Sequence, residues 1–509
     1  MKHSIMHSRR ARFGSVSVSL TVTLIAALVL LNIIFSTLAT RYSWYIDMTS
    51  DKRYSVSEQC RELIQKTLDD AQAEGEQSVR AEIIFCEDYR KYEKGSTGSY
   101  IYNTAHELSQ AFGEVFELRW FDCWLDKSYA KELGVTSPSQ IVLRLQNGQT
   151  RVFSQQEFFT FEGGNTTVPV GYDGERVFAT ALSSLLRSDH PLACISVNHD
   201  ETFFDSTLVL RLRDAGYEVT LLDLYYDDIP ESCELLVMYN PNTDVIVADG
   251  VSERSEVAKI TAFLNKGNSM MVFLSANTPV LANLDEFLAS YGVTVGRGYD
   301  ASTEKWYNSM VKDPSASLTA DGFTILADYA TSGLGATLMQ PLTAGEFVSK
   351  VVFRDATVLT VADDFADAGE SSYKSGSRTR YDLFYASSGA VAWANSKPLT
   401  LDSSSLPLMT LTVDHDTGAR VLVCSSTEYA AQDYLQSAVF GNNDALMCAA
   451  RELGMDSALV GLRYKPFASL TIESITTVQM LRWTLTLTLV PALLVLGIAT
   501  VVLVRRRYS

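Results

Sequence analysis

His199 and Glu201 come closest, by residue type and spacing, to a binding site in this chain. They follow the predicted strand Leu192–Val197, and ligands of open α/β sheets bind beyond the carboxyl ends of the strands. An imidazole and a carboxylate at this place would form a polar or metal-binding pair. The alternative is a loop histidine that hydrogen-bonds the next helix. The chain has six histidines, two of them in the N-terminal tail, so we expect no metal site built from several of them.

Ser275 is the candidate nucleophile, because it follows the predicted strand Met270–Leu274 in a turn of sequence Ser-Ala-Asn-Thr. The sheet around residues 190–290 resembles glutamine-amidotransferase-like domains, in which a cysteine nucleophile occupies this turn. Here the cysteine and its flanking glycines are missing, and no Gly-x-Ser-x-Gly motif is present. We therefore predict no catalytic residue and retain His199, Glu201 and Ser275 as candidate ligand-binding residues.

Other motifs exclude further functions. The chain has no Gly-x-x-x-x-Gly-Lys-Ser/Thr loop, so we expect no direct ATP binding. The acidic stretch Asp363–Gly376 lacks the regular alternation of an EF-hand and is predicted to be a mobile loop. Asp416-Thr417-Gly418 occurs once, and a hairpin turn is its expected role. These patterns predict neither a cofactor nor a metal.

Composition narrows the class of protein. The chain has 60 acidic and 42 basic residues, with a net charge of −18, and an acidic body repels nucleic acid. Its seven cysteines are odd in number and scattered, without a Cys-x-x-Cys pair or zinc-ligand spacing. We infer that no disulfide framework is present.

The elements that would position these residues begin with a helix over Val56–Ala73, for which Ser55 and Glu58 form a predicted capping box. Residues 79–160 then predict the order β-α-β-α-β-β, with a hairpin turn at Asn147-Gly148. This order resembles a thioredoxin-like fold, whose cis-proline would be Pro138. Because no cysteine pair follows the first strand, redox activity is not expected.

A second unit begins near Tyr172, where strands alternate with helices. The strands at Leu192–Val197, Glu218–Leu222, Glu234–Met238 and Met270–Leu274 imply a parallel sheet covered on both faces, of flavodoxin or amidotransferase type. Ser252 is the expected cap of a helix that ends at Gly267. Patterning weakens over residues 301–415 and returns after 416, which predicts an insertion followed by a return to the same sheet.

Two uncharged runs, Val16–Ala39 and Trp483–Val504, predict transmembrane helices. A cleaved signal peptide ending at Thr37-Leu38-Ala39 is the alternative for the first run. Basic residues precede the first run and close the chain, so both termini are expected to be cytoplasmic. The predicted fold is an α/β ectodomain between two transmembrane helices, with residues about 40–482 on the outer side of a bacterial cell membrane.

The predicted boundaries follow from these patterns. They are a cytoplasmic tail (1–15), a transmembrane helix (16–39), a hinge and helix (40–78), a thioredoxin-like unit (79–165), a parallel-sheet domain (170–300), an irregular or β insertion (301–415), a return to the α/β domain (416–465), a juxtamembrane segment (466–482), a transmembrane helix (483–504) and a cytoplasmic tail (505–509).

Several segments together resemble the GldG-like (gliding-motility-type) auxiliary subunits of ABC transport systems. They include the hinge Asp47-Met48-Thr49, the segment Asn198–Glu201, where that family tends to have His-Gly-Glu, and FLNKGNSMMVFLS with its Gly267. The resemblance implies a non-enzymatic, extracytoplasmic accessory subunit whose partners are an ABC permease and a separate ATPase. An ectoenzyme of degenerate amidotransferase-like hydrolase type and a structural envelope protein are the alternatives.

Overall fold

A computed structural model describes the following part of the chain. It comprises residues 19, 22–23, 25–34, 55–73, 75, 78–93, 95–161, 168–187, 191–201, 206–248, 254–300, 304–344, 348–399, 406–437, 439–454, 462 and 464–467. The chain separates into two compact units, Met1–Lys465 and Pro466–Ser509. Of the second unit, Pro466 and Phe467 are described.

The first long helix, α1 (Glu58–Ala73), packs its buried face against α4 (Gly174–Leu186). The hydroxyl of Ser57 accepts a hydrogen bond from the N–H of Cys60 at 3.2 Å and therefore caps α1. The predicted cap at Ser55 is wrong by two residues. Ser57 also donates from its N–H and its hydroxyl to the carboxylate of Glu175, which fixes the start of α1 to the start of α4.

The N-terminal sheet has the strand order β2-β1-β3-β4, with β1 parallel to β2 and the other pairs antiparallel. The turn between β3 and β4 uses Asn147 and Gly148, and Gly148 has a φ of +91°, as the sequence predicts for this hairpin. The elements are β1 (Ala81–Phe85), α2 (Thr97–Ala111), β2 (Phe116–Trp120), α3 (Lys127–Glu132), β3 (Gln140–Leu145) and β4 (Thr150–Ser154).

The expected cis-proline is absent. No cis peptide bond occurs in the part of the chain that the structure describes, so the bond before Pro138 is trans. The side-chain oxygen of Gln140 accepts hydrogen bonds from the N–H groups of Thr136 (2.7 Å) and Ser137 (2.9 Å), which fold this segment into a local turn. The turn is thus held by a side chain, and the cis-proline expectation is wrong.

A large mixed sheet forms the centre of the first unit. Its parallel half has the order β8-β7-β9-β10-β23, and all five residues of β10 are buried, as in strands that are covered on both faces. β23 pairs with β10, and strands from the predicted insertion at 301–415 join the same sheet beyond β23. The elements are β7 (Leu192–Ser196), α5 (Ser206–Asp214), β8 (Glu218–Leu222), β9 (Cys233–Tyr239), α6 (Glu256–Leu264), β10 (Ser269–Phe273), α7 (Ala282–Ser290) and β23 (Arg420–Cys424).

The antiparallel half of the same sheet continues from β23 in the order β22-β19-β14-β15. The stretch Asp363–Gly376, predicted to be a mobile loop, is instead a hairpin of β17 and β18 that pairs with β19. All four residues of β17 are exposed, so the hairpin carries no apolar alternation that sequence analysis could detect. The strands are β14 (Thr324–Tyr329), β15 (Val351–Arg354), β17 (Ala366–Gly369), β18 (Ser372–Ser375), β19 (Arg378–Tyr385) and β22 (Pro407–Asp414).

Shorter elements surround this sheet. The strands are β5 (Phe159–Phe161), β6 (Pro169–Tyr172), β11 (Val293–Val295), β12 (Arg297–Asp300), β13 (Lys305–Lys312), β16 (Leu359–Val361), β20 (Val391–Ala394), β21 (Lys397–Leu399) and β24 (Lys465–Pro466). The helices are α8 (Gly333–Leu338), α9 (Gln340–Thr343), α10 (Gln432–Leu435) and α11 (Asn442–Glu452).

A buried ion cluster joins the N-terminal sheet to the helices of the large sheet. The carboxylate of Asp214 in α5 accepts hydrogen bonds at 2.7 Å from Arg151 in β4, Arg176 in α4 and Arg211 in α5. Arg176 also donates to Asp173 at 2.7 Å. Burial alone would raise the pKa of Asp214, but the three guanidinium groups outweigh it and hold that pKa well below its usual range. We call these five residues the Asp214 cluster.

The predicted membrane helices require a correction. Within the described ranges, no helix combines the length and the apolar character needed to cross a bilayer. The second predicted span, Trp483–Val504, lies outside the described residues. The prediction of an ectodomain between two transmembrane helices, with both termini cytoplasmic, is contradicted by this finding on the described ranges.

Gly267, in the loop after α6, lies against Thr417, in the loop between β22 and β23, and supplies a test of this contact. It has a φ of +89°, and a Cβ added there would lie 2.9 Å from the carbonyl oxygen of Thr417. Replacing Gly267 with Ala should cost about 1–2 kcal/mol for the left-handed backbone and about 1–3 kcal/mol more for the collision. The matched control is Gly148→Ala, where φ is +91° but no atom lies within 4 Å. Urea unfolding of both variants measures the difference, and equal losses would contradict the contact between the two loops.

Candidate functional site

The candidate residues lie at the carboxyl edge of the parallel half of the large sheet. His199 follows β7, Asn240 follows β9 and Ser275 follows β10. The carbonyl oxygen of His199 accepts hydrogen bonds from the N–H groups of Asn242 and Thr243, each at 2.8 Å. The loop after β7 is therefore tied to the loop after β9 through the backbone.

The backbone around His199 is unusual. Asn198 has a φ of +75° and Asp200 a φ of +50°, the left-handed region in which Asn and Asp are the residues best tolerated after Gly. The hydroxyl of Thr243 donates to the carboxylate of Asp200 at 2.8 Å, and the amide of Asn198 donates to Asp223. These side chains hold the loop in a conformation that turns the imidazole toward the protein.

The imidazole of His199 lies between two carboxylates. Its Nδ1 is 3.2 Å from Glu201 Oε1 and its Nε2 is 3.2 Å from Glu256 Oε2. Glu201 also accepts a hydrogen bond from the N–H of His199 at 2.7 Å, and Glu256 accepts one from the N–H of Ile246 at 2.8 Å. His199 is 4% exposed. We call His199, Glu201 and Glu256 the His199 clasp.

The charges of the clasp are coupled. Burial disfavours the imidazolium, but the hydrogen bonds and charges of Glu201 and Glu256 outweigh it and raise the pKa of His199 to about 9. Burial likewise opposes the ionised form of Glu256, yet the hydrogen bonds from His199 and Ile246 hold the pKa of that carboxyl below its usual value. At neutral pH His199 is therefore an imidazolium that donates from both ring nitrogens.

Ser275 has a different environment. Its Oγ donates to Asn240 Oδ1 at 2.9 Å, and its own N–H donates to Thr278 Oγ1 at 2.8 Å. The hydroxyl of Thr278 donates to the same amide oxygen of Asn240 at 2.7 Å. In the described part of the chain, no imidazole or carboxylate hydrogen-bonds to Ser275, so the serine has no base to activate it.

The structure brings only two of the three candidates together. His199 and Glu201 are in contact, whereas Ser275 belongs to a separate network centred on Asn240. Glu256 and Asn240 are the residues that sequence reasoning missed. The signal for Glu256 is its position as the first residue of α6, where Ser255 rather than the expected Ser252 is the cap and accepts from the N–H of Ala258 at 3.1 Å.

This arrangement restricts the chemistry of the edge. An imidazolium with both N–H groups bound to carboxylates has no lone pair for a proton or a metal ion. A metal-binding role for the clasp requires loss of that proton and replacement of at least one carboxylate contact. The geometry joins the loop after β7 to the first turn of α6, whereas the alternative reading expected a hydrogen bond to the next helix in the chain, which is α5.

Comparisons with known proteins leave the family open. No family model matches the chain, and no curated protein matches it. Solved structures with weak similarity include the N-terminal domain of mmIFT52, with 12% identity over 51% of this chain and 96% of that chain and a TM-score of 0.34. The cytoplasmic protein STM3548 from Salmonella typhimurium has 10% identity over 51% of this chain and 98% of that chain, with a TM-score of 0.29. PurLQS from Thermotoga maritima gives 12% identity, 52% and 99% coverage and a TM-score of 0.25. These values carry no argument about function, and the GldG-like resemblance stays a prediction.

The His199 clasp predicts a specific pH dependence of stability. The pKa of His199 is raised from 6.5 to about 9 on folding, so its protonation stabilises the fold fully below pH 6.5, and that stabilisation is lost as the pH rises through 9. The loss amounts to about 3 kcal/mol at most. Urea unfolding between pH 6.5 and 9.5 should show this slope in the wild type and not in His199→Gln.

His106→Gln is the matched control. Burial lowers the pKa of His106, so its contribution is present above pH 6.5 and is lost only as the pH falls below that value. This variant should retain the wild-type slope in the alkaline range. A slope that survives in His199→Gln would show that another group accounts for the pH dependence and would contradict this prediction.

Proposed function

We propose that this protein is a non-enzymatic accessory subunit of an ABC transport system that assembles with a separate permease and a separate ATPase. The resemblance to GldG-like subunits names the partners. The observation that carries the proposal is a rigid turn at the end of β2 that holds two large apolar side chains, Trp124 and Leu125, in solvent.

The turn is fixed by carboxylates on either side of the two apolar residues. Asp122 Oδ1 accepts hydrogen bonds from the N–H groups of Trp124 (2.9 Å) and Leu125 (3.2 Å). Asp126 Oδ1 accepts from the N–H of Tyr129 at 3.0 Å and caps α3. Trp124 is nevertheless 65% exposed and Leu125 is 85% exposed. A preorganised tryptophan of this kind is typical of the centre of a protein interface, because little entropy is lost when it binds.

The surface beside the turn extends this patch. Trp120, 38% exposed, lies under the guanidinium of Arg90 with 4.9 Å between the guanidinium carbon and the ring centre. An open groove of about 1510 Å³ runs along β2 and includes Phe121 and Tyr129 in its walls. β2 is the edge strand of its sheet in the described structure. We expect the partner to offer an apolar pocket with a basic rim, complementary to Asp122 and Asp126.

The carboxyl edge of the large sheet supports the non-enzymatic part of the proposal. Both ring nitrogens of His199 are engaged by carboxylates, and the hydroxyl of Ser275 donates to an amide oxygen. A hydrolase of amidotransferase type would need a nucleophile paired with a base. Neither residue has that pairing, so a role in binding and assembly accounts for the side chains better than hydrolysis does.

The proposal is tested by purification of the tagged full-length chain from its native cells in mild detergent. We expect an ABC ATPase and an ABC permease to co-purify. In the double variant Trp124→Ala/Leu125→Ala, the affinity for the complex should fall roughly tenfold or more, since the tryptophan is the expected interface anchor. Quantitative mass spectrometry of the recovered subunits provides the measurement.

Two variants serve as controls. Trp306 is 62% exposed on β13, so Trp306→Ala removes an equally exposed tryptophan elsewhere and should leave recovery unchanged. Ser275→Ala should also leave recovery unchanged, because Ser275 contributes only to a local hydrogen-bond network. Recovery without either ABC subunit in the wild type would overturn the proposal, and equal losses in the Trp124 and Trp306 variants would remove the turn as the contact.

A further inference from the structure

A small cavity lies beside the Asp214 cluster. Its volume is about 40 Å³, close to the roughly 30 Å³ that one water molecule occupies in the liquid. Arg176 and Arg211 form one side, and Leu435 and Phe440 contribute apolar walls. Tyr464 also lines the cavity, and its ring packs on Gly171, where an added Cβ would come within 2.1 Å of it. The cavity therefore has room for one small species.

Three residues that line this cavity each have a buried polar atom without a hydrogen-bond partner in the described structure: Arg211 Nε, Thr160 Oγ1 and Asn443 Oδ1. Arg211 is 5% exposed and Thr160 is 3% exposed. Buried polar groups are almost always hydrogen-bonded, and leaving one unpaired costs about 1–3 kcal/mol. Three such atoms around one cavity therefore indicate a bound species that satisfies them together.

The charge of the surroundings favours an anion. The Asp214 cluster places three guanidinium groups against two carboxylates, so it carries one positive charge in excess. Burial and the neighbouring charge of Arg176 lower the pKa of Arg211 to about 10, against the opposing charges of Asp214 and Asp173. Asp444 also lines the cavity, but it is only partly buried, so its charge is screened more strongly.

We propose that this cavity binds a single monovalent anion of halide size. The N–H of Arg211 Nε and the hydroxyl of Thr160 donate to it, and the amide of Asn443, turned by 180°, presents its NH₂ group as a third donor. The single positive charge in excess favours a monovalent ion over phosphate or sulfate, and a cation would face the guanidinium groups. The bound halide neutralises the excess charge of the cluster that joins the two sheets.

The experiment is thermal unfolding of the full-length chain in chloride or bromide against gluconate at constant ionic strength. We expect the midpoint to rise with halide and to saturate, as for a ligand that binds only the folded state. Thr160→Val keeps the shape and removes the donor, so the apparent halide affinity should fall roughly tenfold. Thr160→Ser keeps the hydroxyl and should behave as the wild type.

Asp444→Asn separates an anion from a neutral ligand. Removal of a nearby negative charge should tighten halide binding, whereas a bound water would respond to neither this variant nor the choice of salt. Bromide-soaked crystals should show anomalous density beside Arg211 Nε and Thr160 Oγ1. The proposal would be overturned if the unfolding midpoint does not change with halide, or if Thr160→Val leaves the halide response unchanged. An ordered water at this position in bromide-soaked crystals would also overturn it.

Discussion

A charge that is buried in a protein must be paired, and this constraint holds the N-terminal sheet against the large mixed sheet. The carboxylate of Asp214 accepts hydrogen bonds from guanidinium groups of β4, α4 and α5. Removing one partner of such a group leaves an uncompensated buried charge, which typically costs about 3–5 kcal/mol. The N-terminal sheet therefore cannot rotate away from the large sheet without exposing or isolating Arg151. Apolar packing alone would allow many relative orientations, whereas the three hydrogen bonds to one carboxylate allow few.

The same constraint accounts for the carboxyl edge of the large sheet. In open α/β sheets this edge is the usual place for ligands. Here the polar side chains at the edge bind one another, as His199 binds Glu201 and Glu256, and Ser275 binds Asn240. The imidazolium of His199 offsets one of the two carboxylate charges and is nearly fully buried, so its removal would leave two carboxylates in a position built for a cation. The edge is therefore part of the architecture, and a ligand would have to compete with interactions that are already made.

The sequence predicts the elements that repeat a simple period and misses those that depend on distant contacts. β9, β10 and the hairpin at Asn147-Gly148 are foreseeable, since buried runs and an Asn-Gly turn are local signals. The position of His199 after β7 is foreseeable for the same reason. Its second partner, Glu256, lies 57 residues away and becomes visible only once the sheet brings α6 to the edge. The hairpin of β17 and β18 is not predicted, because β17 is exposed and its residues do not alternate between apolar and polar. The uncharged runs at the ends predict membrane spans from composition alone, and no helix in the described ranges is long and apolar enough to be one.

The polar side chains of the carboxyl edge and of the Trp124 turn have different hydrogen-bond partners, and this difference indicates where the chain would contact other molecules. At the edge, the side chains that could take part in chemistry form hydrogen bonds with one another. At the turn, carboxylates accept hydrogen bonds from the backbone, and two large apolar side chains are held in water. Keeping Trp124 and Leu125 exposed forgoes the free energy that their burial would contribute, about 1.5–3 kcal/mol for a side chain of this size. A rigid backbone that maintains this exposure is of use only if a partner covers the side chains. The interaction surface of this fold is therefore expected on the N-terminal sheet, away from the edge at which α/β proteins usually bind their ligands.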